Sequence, residues 1–144
     1  KGAANNCTNM AYAMLLSLLV AQGDDVQATN HRQLRRNAMR YFEVWNSHDV
    51  AGLRSLLAAE ATLRDWEVEK KGGDEVAAAN AKIFAAAPGI KIEVLMVHVA
   101  VATRTAACEI LVRLNNDKAD VLKVVDIIGF DEQGKIVSVR AYKG

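Results

Sequence analysis

The sequence predicts an α+β fold, in which helices come first along the chain and a sheet follows. Apolar residues recur with the 3.6-residue period of helices up to Pro88-Gly89, and beyond that point the period changes to 2, as in strands. Short polar turns separate the alternating segments, which predicts a four-stranded antiparallel meander. A curved sheet wrapped around a long helix leaves a conical cavity, which is a natural site for a small molecule.

The first part of the chain predicts an apolar extension ahead of the domain. Met10–Ala21 is almost wholly apolar but spans only twelve residues, whereas a helix that crosses a bilayer needs about 20. The sequence predicts a helix over about 9–22 that ends at Gly23, and a linker over 24–30. Residues 1–28 would then form the extension and residues 29–144 the domain. Three roles stay open for this helix: packing on its own domain, docking on a partner, or contact with a membrane surface.

The helices of the domain are predicted from apolar stripes and caps. They are a long helix from Asn30 to about Ser47, a short helix capped by Asp49 that ends at Leu57, and a helix over 74–87. The stripe of the long helix consists of Leu34, Ala38, Tyr41, Phe42 and Trp45. Pro88-Gly89 ends the last helix, because these residue types do not continue one.

The strands are predicted from alternation of apolar and polar residues. They cover residues 60–68, 90–101, 103–114, 121–130 and 135–142, with polar turns at 70–73, 115–119 and 131–134. On the fourth of these strands, Asp126 shares a face with four large apolar side chains. An ionised carboxylate in such a place is costly unless it is paired. Asp126 therefore either has a buried partner or is a neutral acid.

Composition excludes several classes of protein. The chain has 144 residues, 51% of them apolar, which is the size of one ordinary domain with a real core. A net charge of +1 argues against a nucleic-acid partner, and the arginines at 32–40 are interpreted as a solvated helix face. The histidines and the two cysteines show no metal-ligand spacing, so we predict no metal and no cofactor; Cys108 is interpreted as a core residue.

Asp65 and Tyr41 join Asp126 as candidate catalytic residues. Asp65 lies on the apolar face of the predicted strand 60–68, and Tyr41 lies on the buried stripe of the long helix. An ionised carboxylate removes a proton beside a carbonyl, while a phenol and a neutral carboxyl donate hydrogen bonds to the developing enolate oxygen. Sequence spacing alone does not show that the three residues meet.

Four runs of the chain resemble the NTF2-like superfamily, which includes the ketosteroid isomerases and the SnoaL-type polyketide cyclases. They are YFEVWNSHDVAG at 41–52, ATLRD at 61–65, VDIIGF at 125–130 and GKIVSVRAY at 134–142. The resemblance covers about residues 31–144. It implies a cone-shaped α+β fold, with a curved antiparallel sheet wrapped around a long N-terminal helix, and usually a homodimer through the sheet.

The resemblance to the ketosteroid isomerases also implies roles for individual residues. Tyr41 stands at the position of their helix tyrosine, Asp65 at their aspartate base, and Asp126 at their protonated aspartate, four residues before Phe130. Trp66 replaces a proline of that pattern. The expected pocket lining consists of Trp45, Trp66, Met96, His98 and Phe130.

Two classes of function follow from these observations. The first is a cofactor-free isomerase or lyase that acts on a small apolar carbonyl compound by proton transfer. The second is a non-catalytic binding or structural subunit. It would dock through Met10–Ala21 to a larger assembly, and a membrane-associated assembly is among those that fit. In the second case Asp126 bonds a backbone amide or Tyr41, and Asp65 pairs with an arginine. A small apolar ligand and a homodimer or larger complex are the expected partners.

The first residue is Lys1 rather than Met. We therefore expect a processed form or a fragment of a longer chain, and an organellar or secreted location stays open.

Overall fold

The computed structural model describes residues 3–114 and 121–144, with side chains from residue 13 onward. It has the predicted α+β architecture, with helices ahead of a curved sheet that is not closed. The elements are α1 (Ala3–Asn46), α2 (Val50–Leu56), β1 (Leu57–Arg64), β2 (Glu69–Lys71), α3 (Gly73–Ala86), β3 (Lys91–Ala100), β4 (Thr105–Arg113), β5 (Val121–Phe130) and β6 (Ile136–Lys143). A single 3-10 turn, Val101–Thr103, joins β3 to β4.

Helix α1 is one continuous helix of 44 residues. The predicted end at Gly23, the linker over 24–30 and the cap at Asn30 are therefore wrong. Gly23 does not have the positive φ of a helix-terminating glycine, and a glycine inside a helix costs only about 1 kcal/mol relative to alanine. The division into an extension over 1–28 and a domain over 29–144 stays a prediction.

The two halves of α1 have different environments. Every side chain from residue 13 to residue 33 is exposed, and burial begins at Leu34. The predicted stripe from Leu34 to Trp45 is buried in full, and this part of α1 packs on β3 and β4. No helix among the described residues has the length and hydropathy that a membrane crossing requires.

The sheet has six strands in the order β2-β1-β6-β5-β4-β3. The predicted antiparallel meander is confirmed for β3 to β6. Two features differ from the expectation: β1 pairs with β6 in parallel, whereas the resemblance implies an antiparallel sheet, and residues 70 and 71, expected in a turn, belong with Glu69 to the edge strand β2. Both pairings involve β1, whose partners are set by long-range contacts that local periodicity does not report.

A β-bulge changes which face of β3 is buried. The register with β4 shifts between Val94 and Met96, so the residues after the bulge lie on the opposite face to that expected from strict alternation. Ile92 is buried before the bulge and Val97 after it, while Met96 and His98 point away from the core.

The turn between β5 and β6 agrees with its prediction. Gly134 has φ of +79°, a conformation that favours glycine, and the Asp131 carboxylate accepts hydrogen bonds from the backbone amides of Gln133 and Lys135. The turn predicted at 115–119 lies outside the described residues.

The core lies between the inner face of the sheet and the three helices. Its largest fully buried side chains are Phe42, Leu53, Val76, Cys108, Ile128 and Ile136. Asp49 caps α2 as predicted, because its carboxylate accepts from the amide of Gly52 at 2.8 Å. These contacts place α1, β1 and β5 around a common interior.

The substitution Gly23→Ala tests the continuity of α1. Nothing lies within 4 Å of a Cβ added at Gly23, so alanine should stabilise the helix locally by about 0.5–1 kcal/mol. We expect slower amide hydrogen exchange over residues 18–28 and an unchanged melting temperature of the core. Faster exchange over this segment would show that Gly23 terminates a helix.

Candidate functional site

Asp126 lies on the inner face of β5 among apolar groups. Its side chain is 5% exposed, Val124 and Ile128 flank it on the same face, and its cross-strand neighbours are Cys108 of β4 and Ala141 of β6. Within the described residues, no hydrogen bond satisfies its carboxyl. Burial raises its pKa to about 7, and the negative charge of Asp65 adds to this shift. Of the two states expected for Asp126, this environment favours the neutral acid.

Tyr41 lies on the buried face of α1 and is 4% exposed. Its ring meets the edge of Phe42 with centroids 5.1 Å apart. Burial raises the pKa of the phenol far above its ordinary value, and the charge of Asp126 and the neighbouring Cys108 act in the same direction. Tyr41 therefore keeps its proton, and its hydroxyl is able to donate a hydrogen bond to a group in the cavity.

Asp65 follows β1 directly and shapes the turn to β2. Its Oδ1 accepts hydrogen bonds from the backbone amides of Glu67 at 2.7 Å and Val68 at 2.6 Å, and its own amide donates to the Val68 carbonyl. This arrangement is typical of aspartate, whose short side chain bonds the backbone two or three residues further on. Asp65 thus lies in the turn that follows β1, not inside a strand as expected, and the turn holds its carboxylate in place.

A cavity of about 450 Å³ brings the three candidates together. Tyr41 comes from α1, Asp65 from the β1–β2 turn and Asp126 from β5, and all three line it. The other lining residues are mainly apolar side chains of β1, α3 and the strands β3 to β6, among them Leu63, Ile83, Ile92, Ile110, Val112, Leu122, Val124 and Val139. This size and lining are typical of a pocket for a small organic ligand.

The two tryptophans line the cavity, as expected. The indole N–H of Trp45 donates to Oδ1 of Asn80 at 2.8 Å, and the Asn80 amide donates to the Val76 carbonyl. Trp66 is 44% exposed and stands at the mouth, beside the turn that Asp65 stabilises.

Asn80 is a lining residue that the sequence analysis did not identify. It is one of two buried polar or charged residues in the described part of the chain, the other being Asp126. A signal was present in the sequence, because Asn80 lies four residues after Val76 and one turn of α3 places both on the buried face.

Three residues expected in the pocket do not line it. Met96 and His98 lie on the outer face of the sheet because of the bulge in β3, and Nε2 of His98 lies 3.0 Å from Oε1 of Glu109 there. Phe130 is buried in the core but does not border the cavity. The assignment of these three residues to the lining is thereby corrected.

Cys108 has the expected core environment. It is fully buried, and burial, together with the charge of Asp126, raises the pKa of its thiol to about 12. The thiol therefore stays protonated and does not act as a nucleophile. Among the described residues, no three His, Cys, Asp or Glu side chains form a group able to hold a metal ion.

A sequence profile of the SnoaL-like domain matches residues 38–139, more than half of the chain. This chain belongs to the SnoaL-like family. The matched range contains Tyr41, Asp65 and Asp126. No curated protein matches this SnoaL-like chain by sequence.

Solved structures show the same fold at low sequence identity. A protein of unknown function with a cystatin-like fold from Methylobium petroleophilum PM1 is 18% identical with a TM-score of 0.69, over 79% of this chain and 77% of that one. A candidate ketosteroid isomerase from Kribbella flavida DSM 17836 is 18% identical with a TM-score of 0.66, over 80% of each chain. A candidate polyketide cyclase from Sinorhizobium meliloti is 16% identical with a TM-score of 0.66, over 74% and 94%.

The substitution Asp126→Asn should remove a pH dependence of stability. Between the ordinary carboxyl pKa of 3.8 and the folded value of about 7, the folded protein holds a proton that the unfolded chain has released. The free energy of unfolding therefore falls as pH rises through this window. The free energy of unfolding of Asp126→Asn, measured relative to that of the wild type, should therefore rise by roughly 4 kcal/mol from pH 3.5 to pH 8.

Urea unfolding at several pH values measures this difference. Asp24→Asn, on the exposed part of α1, is the control and should follow the wild type. Parallel pH profiles for Asp126→Asn and the wild type would mean that Asp126 titrates as an ordinary carboxyl.

Proposed function

We propose that this SnoaL-like protein binds a small, largely apolar carbonyl compound and moves a proton next to its carbonyl group without a cofactor. Asp65 is the base, and Tyr41 and Asp126 donate hydrogen bonds to the carbonyl oxygen. The observation that carries the proposal is the meeting of Tyr41, Asp65 and Asp126 at one largely apolar cavity, in which burial raises the pKa of the Asp126 carboxyl to about 7.

The two donors suit an oxygen that gains negative charge. Both are deeply buried. Burial keeps the Tyr41 phenol protonated at neutral pH, and it raises the pKa of Asp126 to about 7, so that this carboxyl holds its proton below that pH. In such a water-poor environment, fixed donors stabilise an enolate far more than water does. The substrate would place its carbonyl oxygen at the Tyr41 and Asp126 end of the cavity.

The base is assigned to Asp65 because its environment differs from that of Asp126. Asp65 is half-buried, and two backbone N–H groups donate to Oδ1 and fix the orientation of the carboxylate. Within the described residues Oδ2 accepts no hydrogen bond, so its lone pair is free to take a proton. The C–H proton passes to Oδ2 and the electron pair forms the enolate. Return of the proton to another carbon completes an isomerisation, and loss of a leaving group completes an elimination.

The comparisons support this chemistry without specifying it. Structures with this fold include proteins described as a candidate polyketide cyclase and a candidate ketosteroid isomerase. At 16% to 18% identity these likenesses concern the fold, and the assignment of roles here depends on the cavity.

Isomerisation of 5-androstene-3,17-dione, a 3-oxo-Δ5 compound, tests the mechanism by ultraviolet absorption of the conjugated product. We expect turnover by the wild type and a decrease in kcat of about 10²–10⁴-fold in Asp65→Asn, because general base catalysis contributes this range. Tyr41→Phe should also decrease kcat, because it removes one hydrogen-bond donor to the carbonyl oxygen.

Asp24→Asn is the matched control and should keep full activity. No turnover by any protein, or equal turnover by the wild type and Asp65→Asn, would contradict the mechanism. A rise in melting temperature with the steroid in the absence of turnover would instead support a non-catalytic binding protein with the same pocket.

A structural subunit is the second candidate function. The observation that favours it is the exposed apolar part of α1, where Met14, Leu15, Leu16, Leu18, Leu19 and Val20 are each at least half exposed. An apolar surface of this kind is typical of a segment that docks on a partner or on a membrane surface. The outer face of the sheet, with Leu95, Met96, Val125, Val137 and Tyr142 exposed, is the surface that we propose for a homodimer.

The double substitution Leu15→Lys with Leu19→Lys tests docking through α1. We expect it to abolish association of the full chain with itself or with lipid vesicles, because it places two charges on the apolar surface. Sedimentation velocity and vesicle flotation measure the two kinds of association. The control is Gln22→Lys with Gln27→Lys, which adds the same charge at exposed polar positions.

If the wild type is monomeric, does not float with vesicles and does not co-purify with another protein, the docking role is wrong. Equal loss of association in the control pair would attribute the effect to net charge rather than to the apolar surface.

A further inference from the structure

Lys143 is a cation on the inner face of an otherwise apolar strand end. On β6 the inner positions alternate with the outer ones, so Val139, Ala141 and Lys143 follow one another along the cavity wall. Lys143 also pairs in register with Val124 of β5, which lines the same cavity. The positive charge therefore borders the pocket at the end of the strand.

The ammonium group of Lys143 lies near the ring of Trp66 at the edge of the cavity. The Nζ of Lys143 lies 5.8 Å from the centroid of the Trp66 ring, within the range of a cation–π interaction. Trp66 belongs to the turn after Asp65 and is partly exposed. Lys143 and Trp66 both line the cavity and are exposed to solvent, so the ammonium group lies at the solvent-facing rim between the β1–β2 turn and β6.

No carboxylate of the described residues forms an ion pair with Lys143. Five ion pairs occur within that part of the chain, and Lys143 is in none of them. Asp65 and Glu67 line the same cavity, but Asp65 directs Oδ1 to the backbone of its own turn. Arg64, another cation of this region, donates to the hydroxyl of Tyr142 at 2.8 Å and packs over its ring.

We propose that Lys143 selects ligands that carry a carboxylate at one end of an apolar body. The carboxylate would pair with the ammonium group at the mouth, the apolar body would fill the cavity, and any carbonyl would reach Tyr41 and Asp126. One ammonium matches one monovalent carboxylate, and a charge-assisted hydrogen bond adds to the attraction. This inference rests on the ligand pocket of the proposed function and adds the substrate class.

Displacement of a fluorescent compound by two ligands of equal chain length, one charged and one neutral, tests the proposal. N-phenyl-1-naphthylamine, a neutral fluorescent compound, reports on the apolar cavity, and dodecanoate and dodecanol displace it. We expect Lys143→Met to decrease the affinity for dodecanoate by roughly tenfold. The affinity for dodecanol should change by no more than about twofold. Methionine keeps an unbranched apolar side chain at this position, so packing on Trp66 is largely preserved.

Lys123→Met is the matched control. Lys123 is exposed on the other face of β5, at the same end of the sheet, and its substitution changes net charge by the same amount. It should leave both affinities unchanged. Dodecanoate binding by the wild type should weaken with added salt, whereas binding by Lys143→Met should lose most of this dependence.

The outcomes separate this inference from the proposed function. The role of Lys143 would be overturned if Lys143→Met lowered the affinities for dodecanoate and dodecanol equally. It would also be overturned if Lys143→Met and Lys123→Met had equal effects on the affinity for dodecanoate. Failure of the fluorescent compound to bind the wild type would overturn both the pocket and this inference. Selective binding of dodecanoate without steroid turnover would support Lys143 while contradicting the proton-transfer mechanism.

Discussion

The burial of one carboxyl group, that of Asp126, is the constraint on which the site depends. Transfer of a carboxylate from water to an apolar environment costs several kcal/mol, and the group reduces that cost by keeping its proton. Asp126 pairs across the sheet with Cys108 and Ala141, neither of which offers a charge to balance it. Its pKa therefore rises to about 7, and the wall of the cavity carries an acid that is protonated below that pH. The second carboxylate, Asp65, strengthens this effect because like charges oppose a second ionisation nearby.

The polar groups of the cavity differ in how far each is already satisfied. Trp45 and Asn80 bond each other, and Asn80 bonds the backbone of its own helix, so these groups shape the wall and support its rigidity. Asp65 is held by two backbone amides through one oxygen. Asp126 accepts and donates no hydrogen bond within the described residues. Its carboxyl instead opens on the cavity, where a ligand can supply a hydrogen-bond partner.

Local patterns of the sequence predict much of this fold. The 3.6-residue stripe of α1, the cap at Asp49, the stop at Pro88-Gly89 and the alternation in β5 all depend on residues close in sequence. Each pattern is confirmed by the structure. Two predictions fail because one residue type was given too much weight or because strict alternation was assumed. Gly23 is accommodated inside a helix, and the extra residue in β3 reverses the faces of Met96 and His98.

The sequence alone was sufficient to identify Asp126 as an anomaly and to favour the α+β class, because both follow from the period of apolar residues along the chain. The cone shape was implied by the resemblance of four sequence runs to the NTF2-like superfamily. The meeting of Tyr41, Asp65 and Asp126 at one cavity required the tertiary structure, since these residues are separated by 24 and 61 positions and no local pattern relates them. The same holds for the parallel pairing of β1 with β6, and for Lys143 over Trp66. Contacts between distant segments depend on how whole elements pack, and a single strand or helix carries no record of its partner.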